Sequence, residues 1–443
     1  MKKIAYPLLA ISTFTMMSVA SAEDAFDLYG STMTGDWNGT RTEWAEKGIK
    51  FDGTIAMDGS YLADGGYDAH QAPTFATQFG LGTTLDMTKL AGWSDVTIRA
   101  LVTARQGEST SLRGIQAPDA PQWANSQANW GRGNSGSRLS ELYIEKNFKE
   151  QGLSIRVGRM GLGTEFNTMA CDFQGNAFCA AQMGKWQGKL WYNTPVSQWG
   201  GRLKYQINPE LFAQVGVFEY NPDNALERQG WNLDTKHADG VNILSEVVWS
   251  PKQGFNALPG SYRFGTLYNT ADEAKNQYDV AYKAGTKAED RTYGGWIAFE
   301  QQLTSVGEGK RGLHSFGNFT VHDRTTTAVS DSQQLGLKYY GLFKSQPNDI
   351  LGLAVNRVHL NDRYTDYVNN SRLGTNLRQL NEDAEYNVEL NYSYYPAKWF
   401  MLRPLVQYVV HPGATNQVDN ALVIGLGSKI IFCNHPRKPR CKE

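Results

Sequence analysis

The chain has 443 residues, with 43 lysines and arginines against 44 aspartates and glutamates and a formal net charge of −1. This near-neutral balance gives no support to nucleic-acid binding. Aromatic residues make up 12% of the chain, glycine contributes 45 residues, and the mean hydropathy is −0.47. The length allows two or three soluble domains or one large β-barrel, and a polar chain rich in aromatics suits the barrel.

The N-terminus has the pattern of a secretory signal peptide. Lys2 and Lys3 precede an apolar run that ends in the small residues Ala20-Ser21-Ala22. This pattern predicts a signal peptide over 1–22 and a mature chain that begins at Glu23. The early charges and a proline disfavour the alternative of a retained membrane anchor. No later apolar run reaches the roughly 18 residues of a transmembrane helix, so the exported chain is expected to be soluble or a barrel.

An N-terminal periplasmic segment, 23–50, is predicted to contain one short helix within 35–49. Asn38 or Thr40 is expected to cap its start, and Gly48 is expected to end it. The expected position of this helix is under or inside the barrel mouth.

Alternation of apolar and polar residues predicts sixteen strands. Along 385–395 the even positions are aromatic or aliphatic and the odd positions are polar, which is the period of a strand with one apolar and one wet face. The predicted strands lie near 51–61, 78–86, 96–103, 138–147, 153–160, 200–207, 211–220, 243–249, 260–269, 292–302, 312–322, 333–343, 350–360, 384–395, 400–410 and 421–432.

The predicted connections are long after odd-numbered strands and mostly short after even-numbered ones. Long outer loops alternating with short periplasmic turns are typical of outer-membrane barrels, whereas a soluble sandwich does not require this parity. The short-turn side also collects Trp93, Trp249 and Trp399, as an interfacial girdle would. We therefore predict an all-β fold, a sixteen-stranded antiparallel transmembrane β-barrel over 51–432, with a short N-terminal periplasmic helix.

Several motifs resemble one family of outer-membrane proteins. They are Gly35-Asp36-Trp37-Asn38-Gly39 followed by Arg41, Ala45-Glu46-Lys47-Gly48-Ile49, Val157-Gly158-Arg159-Met160, Arg403-Pro404-Leu405-Val406-Gln407-Tyr408, His411-Pro412-Gly413 and Ala421-Leu422-Val423-Ile424-Gly425-Leu426. From about Gly35 to Phe432 the chain is similar to the OprB family of carbohydrate-selective porins. The resemblance implies a sixteen-stranded barrel for passive diffusion of sugars such as glucose and other monosaccharides across a Gram-negative outer membrane, with no energy coupling or catalytic step. No cofactor or metal is predicted.

The C-terminus departs from the usual barrel pattern. Phe432 supplies the expected terminal aromatic residue, but a basic extension, 433–443, follows it. Two interpretations stay open: a periplasmic tail, or translation past the natural end.

The four cysteines form two local pairs, Cys171 with Cys179 and Cys433 with Cys441. Export to an oxidising compartment favours a disulfide between Cys171 and Cys179 over free thiols. Zinc binding is the least favoured interpretation of the cysteines, because the first pair has no Cys-x-x-Cys spacing and no nearby histidine.

Strand parity assigns the charged side chains of the pore wall. Arginines opposite carboxylates would form a polar constriction whose groups can bond sugar hydroxyls, which both donate and accept. The alternative is that these charges only pair with each other, as they do inside any aqueous barrel. The predicted pore-lining residues are Arg99, Arg105, Glu141, Tyr143, Glu145, Arg156, Lys185, Trp186, Arg202, Arg263 and Arg403, and parity also points Lys204, Glu389 and Lys429 inward.

Two loops are candidates for narrowing the pore. Loop 161–199 contains the first cysteine pair together with Lys185, Trp186 and Lys189, and we expect it to fold into the barrel; the alternative is an outer lid. Loop 104–137 is the second candidate and carries four basic or tryptophan residues, which are Arg113, Trp123, Trp130 and Arg132.

Two other functions compete with a sugar porin. A porin for small organic acids is favoured by the inward arginines. An outer-membrane hydrolase would need a nucleophile beside a base, but none of the seven histidines falls in a catalytic motif, so no enzyme is predicted. The expected partners are small carbohydrates, outer-membrane lipids and the barrel assembly machinery, and a monomer and a trimer both fit the pattern.

Overall fold

The structure is a computed structural model that describes residues 25–127, 136–186, 190–271, 277–307 and 309–433. In these residues sixteen antiparallel strands pair with their neighbours along the chain, and the first strand pairs with the last to close a barrel. The strands are β1 Ile49–Gly66, β2 Thr74–Asp86, β3 Val96–Gly107, β4 Gly136–Phe148, β5 Leu153–Met160, β6 Gln198–Asn208, β7 Leu211–Glu219, β8 Val241–Trp249, β9 Gly260–Asn269, β10 Thr292–Gln302, β11 Gly312–His322, β12 Val329–Tyr340, β13 Ile350–Leu360, β14 Ala384–Ala397, β15 Phe400–Val410 and β16 Asp419–Cys433. The predicted sixteen-stranded antiparallel barrel is confirmed.

The strands β1 and β2 are longer than predicted. These strands extend further toward the end of the barrel that carries the connections after odd-numbered strands, which we call the long-loop end. Their connection is therefore only 67–73, shorter than the predicted 62–77. Register shifts near Asp64 keep the last residues of β1 paired with β16. The strand therefore continues beyond the point where apolar and polar residues stop alternating.

In the barrel wall the polar side chains are buried and the apolar side chains are exposed, which is the reverse of a soluble protein. In β14, Glu385 and Glu389 are 0% exposed, whereas Leu390 between the inward positions is 49% exposed. The same outward apolar band recurs at Val355 on β13 and Val406 on β15. An apolar exterior around a polar interior matches a barrel whose outer surface contacts lipid.

Helices in the described residues are short, and none is long and apolar enough to span a membrane. They are α1 Thr40–Glu46, α2 Met87–Ala91, α3 Leu162–Glu165, α4 Met183–Trp186 and α5 Asp362–Ser371. Helix α1 lies within the predicted 35–49 segment, and Gly48 follows it with φ 101°.

The predicted cap of α1 is wrong. Gly39, in a left-handed conformation, takes the N-cap position, and no side chain at that position accepts a hydrogen bond. The carboxylate of Asp36 instead accepts the backbone N–H of Thr42 at 3.0 Å. The backbone turn at Gly39 brings this earlier residue over the helix start, so it satisfies one of the free N–H groups there.

Two of the three tryptophans on the short-turn rim are exposed, as residues of an interfacial aromatic girdle should be. Trp93 and Trp249 are 53% and 47% exposed, but Trp399 is 8% exposed. The Trp399 indole N–H donates to the Asp27 carbonyl at 2.8 Å, and its ring meets Phe26 edge-on at 6.4 Å. The segment before α1 therefore covers Trp399 and removes it from the rim. The predicted signal peptide and residues 434–443 lie outside the described residues.

Candidate functional site

The described residues of loop 161–197, between β5 and β6, are 161–186 and 190–197, and they extend into the barrel. These residues contact inward side chains of strands that are far apart around the wall. The Gln174 amide donates to Ser60 on β1 at 2.8 Å, and Asp172 accepts from Lys338 on β12 at 2.8 Å. These contacts cross the interior, which an outer lid would not do. Lys189, one of the predicted loop residues, lies outside the described residues.

The described part of the other candidate loop, 108–127, also turns inward. The Gln127 amide donates to the Asp58 carbonyl at 3.0 Å, and Gln407 on β15 donates to the Ser126 carbonyl at 2.9 Å. Both candidate loops therefore fill the interior together. Trp130 and Arg132 of the predicted loop lie outside the described residues.

Two glutamates of β14 hold these two loops. The carboxylate oxygens of Glu389 accept the backbone N–H groups of residues 174–175 at 2.9 and 2.7 Å. Those of Glu385 accept the N–H groups of residues 123–124, both at 2.9 Å. Buried backbone N–H groups need acceptors, and a carboxylate supplies two strong ones in one side chain. Strand β14 therefore holds both loops in the barrel through these hydrogen bonds.

A disulfide joins Cys171 to Cys179 in loop 161–197. Between the two cysteines, Phe173 and Phe178 have ring centroids 5.5 Å apart, and Phe173 also lies 5.5 Å from Phe316 of the wall. The disulfide therefore closes the short stretch of loop that packs most deeply against β11.

Four charged side chains and one tyrosine form a connected group made of Tyr143, Glu145, Arg156, Glu165 and Arg202. We call it the constriction network, after the prediction that residues of this part of the wall narrow the pore. Glu145 accepts from Arg156 at 2.8 Å and from Arg202 at 2.9 Å, while Arg202 also reaches Glu165 at 3.1 Å. Arg156 pairs with Glu165 as well. The Arg156 guanidinium lies 4.1 Å from the centroid of the Tyr143 ring. Since Glu165 belongs to α3 in the inner loop, the network joins the loop to the wall.

The two predicted arginines of β3 are separated from this network. Arg99 pairs with Asp52 on β1 and with Glu141, which its Nε reaches at 3.1 Å. The side chain of Arg105 donates to the Gln78 side chain at 2.6 Å and to the Thr194 carbonyl of the inner loop at 3.3 Å. From the sequence we predict that Arg99, Arg105 and Arg156 face Glu141 and Glu145 in one group at the narrowest part of the pore. The structure instead has two groups, and Arg105 separately contacts the loop from the wall.

The remaining predicted residues lie elsewhere in the barrel. Arg263 pairs with Glu246 at 3.4 Å beside a cavity of about 230 Å³, and Arg403 donates to Ser393 at 2.7 Å. Lys185 donates to two backbone carbonyls of its own loop, and the ring of Trp186 is buried. Burial lowers the pKa of Lys185 from 10.5 to about 7.

Sequence reasoning predicted the acidic partners Glu141 and Glu145 but missed others, among them Asp52 and Glu165. Asp52 occupies an inward position of β1, so strand parity could have found it. Glu165 lies in a loop helix of four residues, where no periodicity marks a direction. The constriction network has two guanidinium groups and two carboxylates, so its charges balance and its lining offers both donors and acceptors.

Comparison with known proteins agrees with this architecture. The model of the family described as "Carbohydrate-selective porin, OprB family" matches residues 70–432. Porin B of Pseudomonas aeruginosa is 38% identical over 439 residues, covering 96% of each chain. The putative porin QuiX of Acinetobacter baylyi is 38% identical over 417 residues, covering 90% of this chain and 93% of that one.

A solved structure agrees as well. The high-pH structure of Pseudomonas putida OprB superposes with a TM-score of 0.87 at 39% identity, covering 92% of this chain and all of that chain. The closed sixteen-stranded wall, the inner loops and these matches lead to one assignment. The chain belongs to the OprB family of carbohydrate-selective porins and is a channel of the Gram-negative outer membrane.

Proposed function

We propose that this channel passes small neutral monosaccharides such as glucose by passive diffusion, with no catalytic step, and that the constriction network selects them. The observation that carries the proposal is the pairing of Arg156 and Arg202 with Glu145 and Glu165. Two guanidinium groups and two carboxylates supply both donors and acceptors, which suits hydroxyl groups because they also do both. The wall contacts outer-membrane lipid, and the barrel assembly machinery is expected to insert it.

The runner-up, a porin for small organic acids, depends on unbalanced positive charge. Arg99, Arg156 and Arg202 each have a carboxylate partner, so a solute carboxylate near these three arginines would meet acidic groups as well as basic ones. Like charges disfavour its entry. A liposome-swelling series with glucose and its matched carboxylate, gluconate, separates the two functions. We expect faster swelling with glucose; faster swelling with gluconate would favour the organic-acid channel.

Truncation of two arginines tests the site. Arg156 bridges the wall to Glu165, and Arg105 reaches the loop carbonyl of Thr194, so Arg105→Ala with Arg156→Ala removes two contacts between wall and loop. We expect a larger single-channel conductance and weaker discrimination between glucose and disaccharides, with the barrel still folded.

The matched control, Arg228→Ala with Arg291→Ala, removes the same charge from exposed positions outside both inner loops and should behave as wild type. If the double variant in the wall also kept wild-type conductance and glucose block, the filter would lie elsewhere, and loop 108–127 would be the next candidate.

A further inference from the structure

Two neighbouring turns at the short-turn end of the barrel form a basic surface. The turn 303–311 joins β10 to β11, and the turn 341–349 joins β12 to β13. Three cations lie in these turns, and they are Lys310, Arg311 and Lys344. We call these three residues the basic rim. Short turns of an outer-membrane barrel lie at its periplasmic side, which places the basic rim beside the headgroups of the periplasmic leaflet.

Arg311 holds the two turns side by side. Its guanidinium donates from Nε and Nη2 to the Gly341 carbonyl at 3.2 and 3.0 Å. Gly341 has φ 63°, and a Cβ at this position would lie 2.8 Å from the Arg311 Nε. Glycine therefore lets the guanidinium lie against the backbone of the next turn. Because a guanidinium is planar, these two bonds also fix the direction of its remaining N–H groups.

The basic rim lacks acidic partners. In the part of the chain that the structure describes, none of its three cations forms an ion pair. Asp349, at the end of the second turn, is buried and accepts instead from the Tyr392 hydroxyl at 2.6 Å and from the Tyr395 N–H at 2.9 Å. Glu308 of the first turn lies outside the described residues. Cations without partners beside an apolar surface favour an anion from outside the chain.

Apolar side chains lie beside these cations. Val306 of the first turn and Leu342 and Phe343 of the second turn are all exposed. Leu337, on the lipid-facing side of β12, continues this apolar surface toward the middle of the wall. A phospholipid has its phosphate next to its acyl chains, so cations beside an apolar surface suit it. A free inorganic anion would use the cations alone.

The opposite side of the short-turn end, eight strands away, uses its lysines differently. Lys89 donates to the Ala45 carbonyl at 3.3 Å. Lys149 forms an ion pair with Asp95. Both cations are therefore already bound by the protein, and an external anion is favoured at the basic rim rather than on that side.

We propose that the basic rim is a binding site for one anionic phospholipid of the periplasmic leaflet, such as phosphatidylglycerol. Arg311, Lys310 and Lys344 bind the phosphate, and the apolar side chains of the two turns contact the acyl chains. Arginine bonds a phosphate through two parallel N–H groups, and lysine adds a compact charge. The site lies among the turns and not in the pore, so it does not depend on which solute the channel passes.

Unfolding in lipid vesicles and native mass spectrometry test the site. The unfolding temperature is compared between phosphatidylcholine vesicles and vesicles with added phosphatidylglycerol, and mass spectrometry counts the lipids that stay bound. We expect phosphatidylglycerol to raise the unfolding temperature of the wild type and to be retained by it. Lys310→Gln with Lys344→Gln should lose this rise and bind phosphatidylglycerol about 30-fold more weakly, which corresponds to about 1 kcal/mol for each lysine.

The matched control is Lys89→Gln with Lys149→Gln, which removes the same charge from lysines that the protein already binds. It should keep the wild-type response to phosphatidylglycerol. Equal retention of phosphatidylcholine and phosphatidylglycerol by the wild type, or an equal loss in both double variants, would overturn the site. An equal rise in unfolding temperature with inorganic phosphate in phosphatidylcholine vesicles would overturn the choice of a lipid.

Discussion

Single carboxylates position long stretches of backbone in this channel. Glu389 is fully buried and accepts two backbone N–H groups of the inner loop together with the Gln407 amide at 2.9 Å. A charged acceptor makes each of these bonds stronger than a neutral one would. The position of a loop that crosses the barrel therefore depends on one side chain of β14.

Glu389→Gln should loosen the inner loop. The amide keeps one acceptor oxygen but turns its NH₂ group toward a backbone N–H, so a donor faces a donor. We expect loop docking to weaken by about 1.5–3 kcal/mol, the usual contribution of a hydrogen bond to a charged group. The measurement is open-channel current noise together with protease cleavage within 161–197. Glu150→Gln in an exposed turn is the control, and equal noise and cleavage in both variants would contradict this role of Glu389.

Lys185 makes docking of α4 depend on pH. Burial lowers its pKa from 10.5 to about 7. Between these two pH values the Lys185 amine is therefore protonated when the loop is undocked and neutral when it is docked. The stability of the docked loop therefore rises with pH between about 7 and 10.5 and is lowest below pH 7. We expect protease cleavage near residue 185 to be faster at pH 6 than at pH 9.

Lys185→Met removes the titrating group while it keeps a similar length, so cleavage in this variant should lose its pH dependence. Wild-type cleavage that is equally fast at pH 6 and pH 9 would show that Lys185 does not control docking.

Alternation along a strand predicts whether a side chain points inward or outward only where the pairing with the neighbouring strands is regular. In β4 both Ser140 and Glu141 point inward, because the register with β3 shifts opposite Leu101 and Val102. In β5, Gly158 has φ 148°, where a side chain would collide with the backbone of Tyr143. A bulge such as the one between β3 and β4 re-aims side chains near a functional site, and β4 carries Tyr143 and Glu145 of the constriction network.

The disulfide should stabilise one loop rather than the barrel. It closes a separation of 8 residues, which corresponds to about 2–3 kcal/mol in the chain-entropy account. Replacing Cys171 and Cys179 together by serine should broaden the distribution of conductance and leave the barrel melting temperature unchanged. Mass mapping of unreduced peptides gives the direct check, and two free thiols in protein from the outer membrane would refute the pairing.

The whole molecule is stabilised by a closed hydrogen-bonded wall with its apolar face outward. Closure leaves no strand edge unpaired, which a structure in lipid requires. The polar interior is not empty, since the two loops bond to the inward side chains of β1, β12 and β14. Lipid contact and loop docking therefore use opposite faces of the same strands.

Val355→Arg tests the lipid face of the wall. Val355 is an exposed apolar residue in the middle of β13, where it pairs with Val388 of β14. A charge near the bilayer midplane costs about 2–4 kcal/mol in barrels of this kind, so the free energy of unfolding in lipid bilayers should fall by that amount. Val355→Leu keeps the face apolar and should have little effect. An unchanged unfolding free energy for Val355→Arg would place this residue outside the lipid contact.

The sequence by itself determined the sixteen strands, their order and most inward positions. These follow from the period of two and from turn residues nearby, as in β14, where the polar residues are buried and the apolar ones exposed. Only the tertiary structure decided which charges pair, because some partners are distant in the chain and others lie in loops. Lys338 and Asp172 are 166 positions apart, and Asp172 and Glu165 lie in a loop, where no period sets the direction of a side chain. Their positions depend on how the loops pack inside the closed barrel.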